Sequence, residues 1–458
     1  MPKKNDILTV EITDITGEGV GIGRSEGYVL FVPACAVGDI CEVKVLKALK
    51  NYGYAKIERI IKPSPDRTEV TCDVFGKCGG CTFRHISYDA ELKIKKRWVD
   101  ENFARIGKFD IQCDTIVPSP EITGYRNKAQ LPCGTDGKRI FFGFYSKHSH
   151  RLIPCENCRL TPQFYEDIIS CVENWANKNA VSAYDEASGK GLLRHLYIRD
   201  GRKSKEVMVC LVINGHDIPQ RQAFIESLLG LDICIKSIVL NINTRKTNEI
   251  LGDECITLYG NDTISDTLGE LKFDISPLSF YQVNRDGAER LYSLAGEFAA
   301  LTGKEALLDL YCGAGTIGLF LSGKVKKLYG AEIIPQAVEN ARENALKNGI
   351  GNAEFFCADA GKAALMLSDR GVRPDVIILD PPRKGIGADV VEAIVRMQPE
   401  RVVMVSCNSA TAARDCAVLA EKGYVPTKLR ALDMFPRTGH VECCVLLCRE
   451  NISNLREE

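Results

Sequence analysis

Cys407 stands just past Arg401-Val-Val-Met-Val-Ser406, a run of four consecutive apolar residues bounded by polar ones. Such a run reads as a short buried strand, and the Ser-Ala-Thr-Ala-Ala stretch after Asn408 can open a helix. In open α/β sheets the carboxyl ends of the strands face the ligand crevice, so a thiol at that position is placed to meet a substrate. The chain has 20 cysteines, and most small thiols are buried core residues. Cys407 therefore acquires meaning only from its company.

A second group of thiols has a different chemistry. Cys72, Cys78 and Cys81 lie in a tight loop with Gly76, Gly79 and Gly80, and Cys155 and Cys158 follow at a distance. Soft thiolates bind zinc or iron-sulphur clusters, and glycines let a backbone bend around the metal. Cys78-x-x-Cys81 with Cys155-x-x-Cys158 reads as a zinc-ribbon-like pairing. Cys72, Cys78 and Cys81 with one distant cysteine suit a 4Fe-4S cluster equally well, and spacing leaves both open.

The third group belongs to a nucleotide-like ligand. Ala306-Leu-Leu-Asp-Leu-Tyr-Cys-Gly-Ala-Gly-Thr-Ile-Gly318 reads as strand, tight turn and helix, with Gly313, Gly315 and Gly318 in G-x-G-x-x-G spacing. That pattern is shared with nicotinamide enzymes. Lys327-Leu-Tyr-Gly-Ala-Glu332 reads as a second strand ending in a carboxylate suited to ribose hydroxyls. Pro335 and Gly349 bracket the following helix. Asp375-Val-Ile-Ile-Leu-Asp380 ends at Pro381-Pro382. An Asp-Pro-Pro at a fourth strand end is no part of a nicotinamide fingerprint, whereas S-adenosylmethionine-dependent methyltransferases acting on bases often carry it.

These residues need elements to hold them. With 458 residues, 45% hydrophobic and 26% charged, the chain has the composition of a globular protein of two or three domains. A net charge of -1 gives no global attraction to nucleic acid, so any basic surface is local. No apolar run is long enough to span a bilayer, and the first residues lack a signal-peptide core. A reduced, cytoplasmic protein is expected, with the cysteines serving metal or catalysis rather than disulfides.

From Ile7 to Ile61 short alternating strands separated by turns predict a small OB-like barrel. Lys44, Lys47, Lys50, Lys56, Arg59, Lys62 and Arg67 make its second half basic, and Tyr52 and Tyr54 among them suit stacking on single-stranded RNA. The segment resembles a TRAM domain, through its Gly17-to-Gly23 stretch and the Val32-Pro-Ala34 … Gly38-Asp39 pattern. Lys62-Pro-Ser-Pro65 marks a linker. A helix is expected from about residue 88 to 110, with Lys93, Lys95, Lys96 and Arg97 on its surface, and it is expected to pack on the C-terminal domain. Arg126, Lys128, Lys147, Arg194 and Arg199 in the strand-rich middle are candidates for phosphate contacts. The reading is thus a barrel at 1–63, a central α+β domain with the cysteine cluster at 64–275, and a Rossmann-like α/β domain at 276–458.

Nearly the whole chain resembles the RNA (uracil-5-)-methyltransferase family. The resemblance is carried by Gly124-Tyr-Arg-Asn-Lys128, Gly191-Leu-Leu-Arg-His-Leu196, Ser276-Pro-Leu-Ser-Phe-Tyr-Gln-Val-Asn284, Asp309-Leu-Tyr-Cys-Gly-Ala-Gly315, Asp380-Pro-Pro-Arg383, Val405-Ser-Cys-Asn408 and Asp433-Met-Phe-Pro-Arg-Thr-Gly-His-Val-Glu442. It implies S-adenosylmethionine as methyl donor, contacted by Gln282, Tyr311, Glu332 and Asp380. It implies Cys407 as nucleophile, Glu442 as general base, and a 4Fe-4S cluster on Cys72, Cys78, Cys81 and Cys158, with Cys155 close by. The TRAM barrel together with the cluster points to 23S ribosomal RNA, with tRNA as the alternative, and a monomer is expected.

The two roles complement each other chemically. Carbon 5 of uracil is a weak nucleophile until a thiolate adds at carbon 6, and a base must afterwards remove the carbon 5 proton so that the thiol can leave. The base must be unpaired or flipped out. A nicotinamide oxidoreductase would leave Asp380-Pro-Pro and Cys407 idle, and a non-catalytic, metal-stabilised RNA-binding protein would leave Cys407 and Glu442 without a purpose.

Overall fold

The computed structural model describes residues 2–147 and 149–450. At the N-terminus β1 (Ile7–Ile15), β2 (Val20–Ser25), β3 (Tyr28–Pro33), β4 (Ile40–Ala48) and β5 (Tyr52–Lys62) close into a barrel in the order β1-β2-β3-β5-β4. Alternation along the strands turns Val10, Ile12, Leu30, Val32, Cys41, Val43, Val45 and Ala55 into its core. The turn after β3 is held by buried Asp39, whose carboxylate accepts from Ala36 N, Ser64 N and the Arg67 guanidinium (2.6–2.9 Å), tying the barrel to the segment that follows. Outside, Phe31, Tyr52 and Tyr54 form an aromatic group with ring centroids 5.6–5.9 Å apart, and both tyrosines are exposed.

Next come α1 (Tyr88–Arg105) and the two-residue β6 (Ile116–Val117). The middle region contributes β7 (Lys128–Thr135), β8 (Ile140–Tyr145), β9 (Leu152–Pro154), α2 (Tyr165–Lys178), β10 (Leu193–Asp200), β11 (Val207–Ile213), α3 (Arg221–Leu229), β12 (Ile235–Ile242) and β13 (Glu254–Gly260). Its sheet runs β13-β12-β11-β10-β7-β8-β9. Every residue of β10 and β11 is buried, because α2 and α3 cover one face while Tyr197, Met208 and Cys210 on the other join the core of the C-terminal part. A hairpin, β14 (Ile264–Leu268) and β15 (Leu271–Ile275), packs in that same core.

The remainder alternates α4 (Arg285–Ala299), β16 (Ala306–Leu310), α5 (Thr316–Leu321), β17 (Lys327–Glu332), α6 (Pro335–Lys347), β18 (Ala353–Cys357), α7 (Ala360–Asp369), β19 (Val376–Leu379), α8 (Ala388–Met397), β20 (Arg401–Ser406), α9 (Ser409–Ala420), β21 (Tyr424–Leu432) and β22 (Glu442–Arg449). The sheet order is β18-β17-β16-β19-β20-β22-β21-β6, parallel from β18 to β20. β17 and β18 extend to one side of β16 and β19 and β20 to the other, so the strand order reverses between β16 and β19. A ligand crevice opens at such a reversal, outside the carboxyl ends of the strands.

α1 belongs to this C-terminal core despite its early place in the chain. Val99 and Phe103 pack with Leu308, Leu310 and Leu379, and β6 pairs with β21. The helix ends at Arg105, and its basic residues do not all face solvent as expected. Lys95 is fully buried, bonded to Glu91, Asp433 and the Phe435 carbonyl. Arg194 and Arg199 are also buried. Arg194 donates to the carbonyls of Asn243, Arg245 and Thr247, and Arg199 to those of Ser279 and Tyr281, so neither is free for a phosphate. Among the described residues, no helix is long and apolar enough to cross a membrane.

Candidate active site

β20 ends at Ser406, and Asn408 caps α9 by accepting from the N–H groups of Ala410 and Thr411 (3.2 and 3.3 Å). Cys407 is left between strand and helix, half-buried at the carboxyl edge of the sheet. It lines a cleft of about 650 Å³ together with Arg383, His440, Trp98 and Asn102 of α1, and Asp14 to Glu18 from the end of β1 and the turn after it. Three separate parts of the chain therefore surround one thiol.

Burial pushes the Cys407 thiol up, and the Glu442 carboxylate, with Asp380 behind it, adds to the shift. The exposed Arg383 guanidinium lies within hydrogen-bonding reach of the sulfur and opposes it. Glu442, the first residue of β22, is 7% exposed, and burial with the Asp380 charge raises its carboxyl to about 8. Asp380, at the end of β19, is raised to about 7 by burial. Sequence reasoning named Cys407, Glu442 and Asp380, and the fold brings all three together. It did not single out Arg383, whose place immediately after the Pro-Pro pair was the available signal.

The glycine turn lies next door. Tyr311, at φ 65°, and Gly313, at φ 55°, turn the chain away from β16, and the Gly313 N–H donates to Glu332 Oε2 (3.1 Å). The other oxygen of Glu332 accepts from Ile333 N and Ile334 N, which fixes this carboxylate at the end of β17. Gly318 approaches β16 closely: its N–H donates to Asp309 Oδ2 (2.9 Å), and an added Cβ would stand 2.9 Å from that oxygen. Asp309 is fully buried and raised to about 8 by that burial, with Asp380 and Glu332 contributing, and its Oδ1 has no partner. Gln282 sits in a segment anchored from the central sheet, since Asn127 donates to its carbonyl (3.1 Å) and Arg199 to that of Tyr281 (3.0 Å). Its side chain meets the Tyr292 hydroxyl, which also contacts Thr316 Oγ1 (3.1 Å). Tyr292 is a buried member of the site that its position inside an amphipathic helix concealed.

The carboxyl groups of Asp309, Glu332 and Asp380 thus gather at this edge of the sheet, and the Gly313 and Gly318 N–H groups that a pyrophosphate would need already serve Glu332 and Asp309. Such a site suits a cationic ligand and opposes a nicotinamide dinucleotide.

A second cavity, of about 300 Å³, is lined by Cys72, Cys78, Cys81, Cys155 and Cys158. Arg84, Arg126 and Lys128 also face it, and Arg84 Nη2 and Arg126 Nε are buried without a partner. The Cys158 thiol is driven down by the hydrogen bond from Cys155, helped by the N–H groups of Leu160 and Thr161 and by Arg126. Among the described residues, the one set of three potential metal-ligand atoms within 4.8 Å of one another is Cys35, Asp39 and Cys41, where Arg67 already occupies the carboxylate.

Comparison with known proteins bears directly on this arrangement. A family model described as tRNA (uracil-5-)-methyltransferase matches residues 245–450, and one described as TRAM domain matches residues 3–57. An uncharacterized RNA methyltransferase of Halalkalibacterium halodurans is 42% identical over 98% of both chains. The chain belongs to the RNA (uracil-5-)-methyltransferase family. This methyltransferase is also 41% identical over 98% of both chains to an uncharacterized RNA methyltransferase of Clostridium acetobutylicum. Its fold matches the crystal structure of the tRNA (uracil-54, C5)-methyltransferase of Pyrococcus abyssi in complex with S-adenosyl-L-homocysteine, with a TM-score of 0.76 and 28% identity, covering 96% of this chain and 100% of the other. The enzyme is an S-adenosylmethionine-dependent RNA methyltransferase with an N-terminal TRAM barrel.

The buried carboxyl at Glu442 has a measurable consequence. Its folded value, about 8, lies above the ordinary 4.5. Between those values the folded chain holds a proton that the unfolded chain has lost, so its contribution to stability is full below about pH 4.5 and falls as pH rises through about 8. Glu442→Gln removes that slope. We expect the variant to gain roughly 1–3 kcal/mol over wild type near pH ~8.5 and much less near pH ~5.5, read from thermal unfolding in parallel buffers. A difference independent of pH contradicts the assignment.

Proposed function

We propose that the enzyme methylates carbon 5 of a uridine in RNA, preferentially 23S ribosomal RNA, through a covalent bond between Cys407 and carbon 6. The observation that carries this reading is that Cys407 and Arg383 line one cleft while the charges of Glu442 and Asp380 act on the same thiol from behind its wall. The Arg383 guanidinium favours the thiolate. The thiolate adds to carbon 6, the carbon 5–carbon 6 pair shifts towards oxygen 4 as an enolate, and carbon 5 becomes the nucleophile. S-adenosylmethionine, held by Gln282, Tyr311, Glu332 and Asp380, supplies an electrophilic methyl group whose former bonding pair leaves with S-adenosylhomocysteine. Glu442, in its ionised form, then takes the carbon 5 proton, the carbon 5–carbon 6 double bond reforms, and the pair of the carbon 6–sulfur bond returns to Cys407. The cleft between the barrel, α1 and Cys407 suits a base extruded from its stack, while the exposed Tyr52 and Tyr54 suit single-stranded flanks.

Cys72, Cys78, Cys81 and Cys158 fit a 4Fe-4S cluster. A single zinc draws its sulfurs to about 3.8 Å of one another, and no three sulfurs of this group come within 4.8 Å. The partnerless Arg84 and Arg126 nitrogens suit the negative charge of a thiolate-bound cluster. Cys155 then acts as hydrogen-bond donor to Cys158 rather than as a ligand. A cluster there would crosslink the 72–81 loop to the central sheet.

A tRNA substrate is the second reading, favoured by the uracil 54 of tRNA on which the Pyrococcus abyssi relative acts. Ribosomal RNA and tRNA transcripts incubated with enzyme and S-adenosylmethionine, then digested to nucleosides, separate the two. We expect 5-methyluridine in the ribosomal transcript, lost by more than about 10³-fold in Cys407→Ala. Product in tRNA alone selects the second reading, and undiminished product in Cys407→Ala overturns the mechanism. For the cysteine cavity, protein purified without oxygen is expected to contain iron and acid-labile sulfide in equal amounts, both lost in Cys78→Ser. Zinc without sulfide contradicts the cluster.

A further inference from the structure

The loop from Asp433 to Val441 joins β21 to β22, and its two ends meet: Leu432 and Glu442 are the last paired residues of the two strands. Asp433 is therefore one residue from the strand pair that holds Glu442. Lys95 governs that position from 338 residues away. Its ammonium group, fully buried, donates to Asp433 Oδ1 (2.8 Å), Glu91 Oε1 (2.7 Å) and the Phe435 carbonyl (3.2 Å). Glu91 in turn accepts from the backbone N–H of Arg437 (2.7 Å), a residue held at φ 69°. The Arg437 carbonyl receives Thr82 N and Phe83 N (2.7 and 3.1 Å), immediately after Cys81.

Lys95 pairs with both Glu91 and Asp433, and Arg437 reaches the second oxygen of Glu91 at 3.5 Å. Buried ion networks of this kind add little net stability against apolar replacements, while their directional bonds specify geometry. A device for stability alone would need no ammonium here. The loop it grips carries His440 into the Cys407 cleft and ends on Glu442.

We infer that Lys95, acting through Glu91 and Asp433, is a positioning residue that sets Glu442 against carbon 5 of the target base. The inference rests on the roles proposed above for Cys407 and Glu442. Glu442 acts after methyl transfer, when the carbon 5 proton passes to its carboxylate and the sulfur–carbon 6 bond breaks. Loss of Lys95 should therefore slow release of the methylated RNA and leave the earlier thiolate addition and methyl transfer nearly intact. A purely structural lesion has no such selectivity, since it lowers all steps with the amount of folded enzyme.

The test uses the full-length enzyme with ordinary uridine-containing RNA and S-adenosylmethionine, quenched into denaturant. Lys95→Met and Glu91→Gln are compared with wild type and with Glu442→Gln, and thermal melts establish that each is folded. We expect turnover in Lys95→Met to fall roughly 10- to 100-fold, the magnitude of a misplaced catalytic group, while single-turnover methyl transfer stays within about twofold of wild type. The covalent protein–RNA fraction should rise towards that of Glu442→Gln, with Glu91→Gln changing in the same direction. A folded variant whose covalent fraction stays at the wild-type level overturns the inference, whatever its turnover. If Lys95→Met does not fold, Glu91→Gln decides by the same criterion, and failure of both to fold assigns the network to stability and overturns it as well. Absence of an adduct in Glu442→Gln would instead remove the reading on which the inference rests.

Discussion

Carboxylates are crowded where water is scarce, and most of the catalytic region follows from that constraint. Asp309 and Asp380 stand at or near the carboxyl ends of β16 and β19, Glu442 at the amino end of the antiparallel β22, and each is raised well above its ordinary range by burial. Like charges in low dielectric oppose one another, so the site gains from any cation that enters it. A sulfonium donor provides one such cation. Arg383 provides another beside Cys407, opposing the upward push that burial and the Glu442 and Asp380 charges exert on the thiol. One arrangement thus favours a positively charged donor and sets the electrostatic opposition between the proposed nucleophile and the proposed base.

The rest of the chain serves as scaffolding for these few groups. The central sheet anchors the Gln282 segment through Asn127 and Arg199. α1 grips the loop before Glu442 through Lys95 and Glu91, and inserts Phe103 into the core beneath the parallel sheet. The barrel contributes the end of β1 and the turn after it to the rim of the Cys407 cleft, and Arg97 of α1 pairs with Asp14 near the end of that strand. The barrel, α1 and the segment after β20 therefore share one wall.

Much of this was legible in the sequence because it is local. The strand ending before Cys407, the Asn408 cap, the glycine turn, Glu332 at a strand end and Pro335 at a helix start depend on near neighbours, and each lies where its residues imply. The barrel followed from alternating strands and turn residues. What escaped depends on partners far along the chain. Lys95 reads as one more basic residue on a charged helix, because nothing local announces Asp433 as its partner. Arg194 and Arg199 look like phosphate contacts until the carbonyls they serve are seen. β6, only two residues long, carries no periodicity, yet it completes the edge of the C-terminal sheet.

The central claim is that Cys407 bonds to the target base, and the most direct test traps that bond. RNA transcribed with 5-fluorouridine presents fluorine where Glu442 would take a proton, so the methylated adduct cannot resolve. The enzyme, mixed with this RNA and S-adenosylmethionine, is digested with protease and nuclease, and the peptides are sequenced by mass spectrometry. The account predicts a methylated fluorouridine nucleotide on the peptide containing Cys407, absent in Cys407→Ala. An adduct on another cysteine, or none while the donor is bound and the RNA is a proven substrate, would contradict it.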